Sequence, residues 1–294
     1  MTSRHSQWKA LPALLRCKLS LAVASTALTG FVYASHALNW RALSVFIGVF
    51  LLTGAASAFN QVQEKSVDYL MERTRNRPLP SNTFTSRQAV FVAIVAGGAG
   101  LALIFLKTTA LATGLAAFNM FWYNCVYTPL KRTTGFAVLV GALAGALGPL
   151  IGYCAAGGHI TDGFIVVCVF MYLWQVSHFL LLLFKFRDEY QRAGIPTIAF
   201  TMNEDRFKVT FFIWILGTAG STLLMPFFHI IASMVLLPML IIGNSLFVFY
   251  FYIAVFRSKK EFTHAPAFRC MYLFQGFVLA LLAVEALSNI PHHP

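Results

Sequence analysis

Nine runs of apolar residues divide this chain, each long enough to cross a lipid bilayer, and no soluble fold accommodates them. A membrane helix needs about 20 mainly apolar residues. The runs cover 19–36, 42–60, 88–106, 109–128, 135–157, 162–184, 208–226, 229–255 and 268–288. The chain is 58% hydrophobic and 11% charged, against about 25% charged in an ordinary soluble domain. Most of that apolar surface must face lipid or other helices. The expected fold is therefore all-α and polytopic, with about nine transmembrane helices around a cytosol-facing cavity. Only residues 226–229 interrupt the run between the seventh and eighth spans, so a very short turn is expected there.

The net charge of +12 would suit a nucleic-acid binder if the basic residues clustered on one polar surface. They sit instead in short segments between apolar runs, and no nucleic-acid partner is expected. With the N-terminus in the cytosol, 20 of the 22 Lys and Arg residues fall on the cytosolic side, leaving Arg41 and Lys107 outside. Basic loops stay cytosolic during insertion, so the asymmetry supports an odd number of spans and an external C-terminus. The domain plan is a cytosolic leader at 1–18, one transmembrane domain at 19–288 and a short tail at 289–294. The five cysteines are scattered without a C-x-x-C pair and read as apolar packing residues. Glu285, near the outer end of the last span, reads as snorkelling or held by one local partner rather than catalytic. His292 and His293 read as a solvated tail.

Three constellations gather at the cytosolic ends of even-numbered spans. Asn60, Glu64 and Asp68 follow each other at four-residue steps, so they drift only about 80° around a helix and share a face. An amide and two carboxylates form an all-oxygen surface suited to Mg²⁺, which binds through one or two carboxylates plus substrate phosphate. A helix end emerging into water would leave the same acids merely solvated. Arg73, Arg75 and Arg77 follow at alternate positions, and Pro78 ends any helix there. Acids that hold a cation beside arginines that hold anions suit a diphosphate–Mg²⁺ complex.

The second constellation is Trp174, Gln175 and His178, continuing through Lys185, Arg187, Asp188, Glu189 and Tyr190. If the sixth helix continues that far, His178, Lys185 and Glu189 share one stripe, with Asp188 about 80° away. A polar stripe at membrane depth usually faces a cavity. The third is Asn124, Tyr127, Lys131 and Arg132 at the end of the fourth span.

At these residues the chain resembles the UbiA-type superfamily of intramembrane prenyltransferases, and within it the branch that farnesylates heme B. The segment from Asn60 through Glu64 and Asp68 to Met71-Glu-Arg-Thr-Arg-Asn-Arg-Pro-Leu is similar to that branch's first acidic motif and its M-x-R-T-x-x-R-P block. Tyr127-Thr-Pro-Leu-Lys-Arg-Thr is similar to its Y-T-x-x-L-K-R-x-T block. The stretch 141–153, with Gly148 and Pro149, resembles its Gly-rich fifth helix. Trp174-Gln175 with His178-Phe179, and Glu189-Tyr190 with Gly194 and Pro196, resemble its W-Q-x-P-H-F and D-Y-x-x-A-G-x-P blocks. Glu64 and Glu189 stand where Asp is usual, Ser177 replaces a proline, and Gly148 replaces the first of a Pro-Pro pair.

The resemblance implies transfer of farnesyl from farnesyl diphosphate to a vinyl group of heme B, giving heme O for the heme A and cytochrome oxidase pathway. It implies Mg²⁺ on Asn60, Glu64, Asp68 and one of Asp188 and Glu189. Arg73, Arg77, Lys131 and Lys185 would then clamp the diphosphate. Asn124, Tyr127, Arg132, Trp174, His178 and Tyr190 would complete the substrate site. Heme A synthase or oxidase assembly proteins are the implied protein partners, and a bacterial inner membrane the implied location. A quinone precursor or chlorophyll-type acceptor is the nearest rival. A transporter would instead place charges near the bilayer midplane.

Overall fold

The computed structural model describes residues 4–257 and 263–288. The expected tail 289–294 with His292 and His293, and also Lys259 and Lys260, lie outside the described residues. Among the described residues all regular structure is helical, and every apolar run has become a helix. The leader forms α1 (Arg4–Leu14), and the spans begin with α2 (Cys17–Ser35) and α3 (Trp40–Gln63), followed by a short α4 (Lys65–Leu70). Then come α5 (Ser86–Lys107), α6 (Ala110–Phe121), α7 (Ala137–Ala155) and α8 (Asp162–Lys185). A short α9 (Arg187–Arg192) precedes α10 (Glu204–Leu223), α11 (Leu236–Tyr252) and α12 (His264–Ser288).

Local chemistry sets many of the starts. Asn39 accepts the N–H groups of Arg41 and Ala42 at the head of α3. Thr85 and Gln88 form a capping box on α5. Thr109, Thr161 and Asn203 cap α6, α8 and α10. Each satisfies backbone donors that the first helical turn leaves unpaired.

Seven of these helices are long and apolar enough to cross a membrane. The other two expected spans, 109–128 and 208–226, are helical as well. The first is divided: α6 runs into a π-helical segment, Trp122–Tyr127, and a final turn, Thr128–Leu130. The second, α10, opens on the charged Glu204, Asp205, Arg206 and Lys208. The protein is an integral, multi-pass membrane protein of the expected class, and large apolar side chains such as Phe91, Phe105, Leu246 and Leu273 lie exposed on its outer surface.

The short turn expected between the seventh and eighth spans is not found. α10 ends at Leu223 and α11 begins at Leu236. Pro226 offers no donor for a continuing helix, His229 turns the chain with φ 56°, and Ile230 N–H returns to the Met225 carbonyl at 2.9 Å. The buried Glu285 carboxylate accepts the N–H groups of Ala232 and Ser233, both at 3.2 Å. The expected local partner of Glu285 is therefore this loop. A distant side chain satisfies its backbone, so the loop's own sequence can stay apolar.

The long helices form a ring in which consecutive members pack together and α12 closes on α2. α2 also packs along α7 and so divides the ring. Small residues permit that crossing, as is common between membrane helices. A Cβ on Gly30 would lie 2.0 Å from the Pro149 carbonyl oxygen, and one on Gly152 would lie 1.7 Å from that of Ala27. Beyond α2 and α7, between α8 and α12, phenylalanines fill the interior. Phe184 stacks on Phe207 at 3.8 Å between centroids and Phe247 on Phe274 at 3.9 Å. The half bounded by α2, α3, α6, α7 and α8 is hollow.

Candidate active site

The hollow half contains a cavity of about 320 Å³, within the range of small-molecule sites. Its mouth lies at the ends of α3, α8 and the Thr128–Leu130 turn that finishes the fourth span. Asn60, Glu64 and Asp68 line it. α3 breaks at Glu64, yet Glu64 N–H still bonds the Asn60 carbonyl and Asp68 N–H the Glu64 carbonyl. The four-residue register therefore survives into α4, and the three side chains share a face as their spacing predicts. They are not solvated: Asn60 is 2% exposed, Glu64 4% and Asp68 3%.

Buried carboxylates require partners, and each has a basic one. Arg77 Nη1 lies 2.8 and 2.7 Å from the two Asp68 oxygens. Lys131 Nζ donates to Glu64 Oε1 at 3.0 Å. Arg16 donates to Asn60 Oδ1 at 3.4 Å, while the Asn60 amide donates to Thr128 at 3.1 Å. Burial alone would raise the Glu64 carboxyl, but Lys131, by charge and hydrogen bond, together with Arg16 and Arg77, holds it below its ordinary value. Burial alone would lower the Lys131 ammonium, but Glu64 and then Tyr190 hold it above its ordinary value. The lining carries the cations Arg16, Arg73, Arg77 and Lys131 against the carboxylates Glu64 and Asp68. That excess suits an anion of more than one charge.

Below the mouth the lining changes character. Asn119, Tyr123, Tyr127 and Lys131 reach the cavity from one helix at successive four-residue steps. An α-helix would carry such a series progressively off the face, because each step overshoots a turn. The wider winding of Trp122–Tyr127 offsets that drift. Tyr127 and Phe179 lie parallel, 6.2 Å between centroids. His178 stacks on Trp174 at 5.3 Å and meets Phe268 edge-on, and its Nδ1 is buried without a hydrogen bond. Val23, Val49, Leu52, Met120 and Ile151 form the apolar floor.

Not every expected residue reaches the cavity. α8 ends at Lys185 and the chain turns at Phe186, φ −110° and ψ 24°, which breaks the stripe expected from His178 to Glu189. Lys185 is exposed and lies over the rings of Phe186 and Phe268. Asp188 is exposed on α9. Glu189 stays at the rim, where its carboxylate accepts the Arg73 backbone N–H at 3.2 Å. Among the described residues no three His, Cys, Asp or Glu side chains are grouped to hold a metal. Asn124 bonds the Met120 carbonyl of its own helix, Arg132 bonds the Gln63 carbonyl, and Trp174 donates to the Met271 carbonyl at 2.9 Å. Trp174 therefore buttresses His178 from behind. Tyr190 is buried and does line the cavity, with Lys131 Nζ 5.9 Å from its ring centre.

Three lining residues stood out less in the sequence. Arg16 looked like topology charge. It adopts φ 44° and ψ 53° at the head of α2, a left-handed conformation uncommon for a residue with a Cβ, and lines the cavity. Asn119 carried one legible signal, a polar residue four positions before Tyr123 in an apolar run. Gln175 lay within a recognisable motif without a role of its own.

The profile of the UbiA prenyltransferase family matches residues 23–277 of the chain. The protoheme IX farnesyltransferase of Geobacter sulfurreducens is 40% identical over 225 residues, 74% of this chain and 81% of that protein. The protoheme IX farnesyltransferase of Nitratidesulfovibrio vulgaris (strain DP4) is 30% identical over 278 residues, 94% of each. Among solved structures, a UbiA homolog from Archaeoglobus fulgidus bound to DMAPP and Mg²⁺ superposes with a TM-score of 0.69. That alignment is 15% identical and covers 96% of this chain and 100% of that one. At that identity the likeness concerns the fold.

Proposed function

The chain belongs to the UbiA prenyltransferase family, and on that premise we propose that it transfers farnesyl from farnesyl diphosphate to a vinyl group of heme B, giving heme O. The observation that carries the reading is a buried cluster of paired acids and bases at the mouth of a cavity with an apolar floor. The names of the two bacterial relatives carry the same acceptor and prenyl group.

Arg16, Arg73, Arg77 and Lys131 hold the diphosphate oxygens. Asn60, Glu64 and Asp68 present an all-oxygen donor set that fits Mg²⁺. When bound there, Mg²⁺ supplies charge neutralisation to the departing diphosphate. Glu189 holds the Arg73 backbone in place at the rim. The C1–oxygen bond of the prenyl diphosphate breaks with its electrons leaving on the diphosphate. The rings of Tyr123, Tyr127 and Phe179 face the resulting allylic cation, and the apolar floor accepts the prenyl chain while excluding water. The terminal vinyl carbon of the acceptor attacks C1, and water captures the cation left beside the porphyrin. Gln175 and His178 face the acceptor. The distribution of basic residues supports a cytosolic mouth, with the N-terminus inside and the C-terminus outside, and the bacterial relatives support a plasma-membrane location.

Purified protein incubated with heme B, farnesyl diphosphate and Mg²⁺ should convert the pigment to a heavier, more hydrophobic heme, read by chromatography and mass. Unchanged heme alongside prenylation of an aromatic acceptor would overturn the heme reading and leave the family intact.

A further inference from the structure

A second, smaller cavity of about 40 Å³ adjoins the first. Tyr127, Lys131, Phe179, Leu182 and Tyr190 line both. Its far wall is the loop before α7 and the segment 195–197. Thr197 is 5% exposed, and its Oγ1 is buried without a hydrogen bond. A water needs roughly 10–15 Å³ of such space and two to four polar partners. This cavity therefore has room for about three waters. Thr197, which lines the cavity and whose hydroxyl has no protein partner, is one polar group for such a water. Lys131 supplies another, because Glu64 takes only one of its three ammonium hydrogens. Thr134 is a further polar residue of the lining, and Ala137, Val138 and Ile195 make much of the rest apolar.

We propose that this side cavity, organised by Thr197, is the water site that hydroxylates the product. The inference rests on the proposed heme B farnesylation, whose product requires one water for each prenyl group transferred. Once the vinyl carbon has bonded to C1, the electron deficiency sits on the carbon next to the porphyrin. That carbon has two outcomes: addition of a water oxygen, giving the alcohol, or loss of a proton, giving an alkene. The main cavity must be dry where the allylic cation forms, or hydrolysis competes with transfer. Water must nevertheless be available one bond later. A separate pocket behind Tyr127 and Phe179 meets both requirements. It shares Lys131 with the main cavity, at the diphosphate end, so the oxygen adds close to where C1 was released. The proton lost by that water passes to the departing diphosphate. No oxidant or reductant is needed.

The test uses the full-length chain in lipid nanodiscs with heme B, farnesyl diphosphate and Mg²⁺, and separates hydroxylated from dehydrated product by mass. Thr197→Val keeps the side-chain shape and removes the hydroxyl. It should raise the dehydrated fraction about fivefold, the size expected for losing one hydrogen bond, and Thr197→Ser should restore the wild-type ratio. Ala137→Val fills the cavity without touching the hydroxyl and should shift the ratio the same way. A wild-type product ratio in both valine variants overturns the proposal, even if total turnover falls. If the wild-type chain leaves heme B unmodified, the functional reading fails first and the water site falls with it.

Discussion

At the scale of single residues, the decisive fact is that both mouth carboxylates are buried and already paired. Each contributes as one half of an ion pair whose partner also faces the cavity. Glu64→Gln and Asp68→Asn should each lower turnover by about a hundredfold or more, the range seen when one electrostatic contact to a developing charge is removed. Membrane insertion should persist, and wild-type rates in both variants would remove them from the metal set. The pair also has a pH signature. Glu64 is held below its ordinary value of 4.5, so its contribution to stability is complete above that pH and is lost as pH falls through the lowered folded value. Lys131 is held above 10.5, so its contribution is lost only as pH rises through the raised value. The difference in thermal stability between wild type and Glu64→Gln should be flat between those limits and close below 4.5. A gap that opens on acidification would contradict the pairing. Lys131 was legible in the sequence as a base near acids. That it pairs with Glu64, 67 positions away, was not.

At the scale of elements, the crossing of α2 on α7 holds the hollow half apart from the filled half. Gly152 and Gly30 bring backbone against backbone there, and a backbone carbonyl cannot rotate aside as a flexible side chain can. Gly152→Ala should destabilise the protein by at least about 1–3 kcal/mol, the usual cost of overpacking, read as a lower unfolding temperature in detergent. Gly98→Ala is the contrast, because a Cβ there meets nothing within 4 Å, and it should be neutral or slightly stabilising. Equal behaviour of the two variants would show that the crossing is looser than described. The sequence displayed a Gly-rich stretch in this helix. Which helix it admits depends on α2 approaching α7 rather than another neighbour. The π winding of the fourth span was likewise invisible: Asn124 and Tyr127 stand out there as polar groups, but nothing in 122–127 marks the wider turn.

At the scale of the whole molecule, the mouth is a set of ion pairs with an excess of base, and a ligand must open those pairs. Cation and anion binding are coupled, because Mg²⁺ competes with Lys131 and Arg77 for the acids while diphosphate competes with the acids for the same bases. Together each releases the group that the other requires. Inorganic pyrophosphate should therefore bind about tenfold or more tightly in the presence of Mg²⁺ than its own Mg²⁺ complexation explains, and Mg²⁺ should show the reciprocal gain. Calorimetry with each ligand alone and with both gives the coupling directly, and additive binding would overturn it. The apolar loop between α10 and α11, anchored by Glu285, shows the same dependence on distant partners.

The sequence by itself determined the bilayer as solvent, the helical class, the approximate span positions and the depth at which polar groups gather. These follow from local hydrophobicity and from the helical repeat, which any short window of chain reports. The tertiary structure decided which of those polar groups share a cavity. It admitted Arg16 and Tyr190, turned Lys185 and Asp188 away at the break after α8, and paired each mouth acid with a base. The physical reason is that burial and pairing arise between helices far apart in the chain, where a one-residue break in winding redirects a side chain by about 100°.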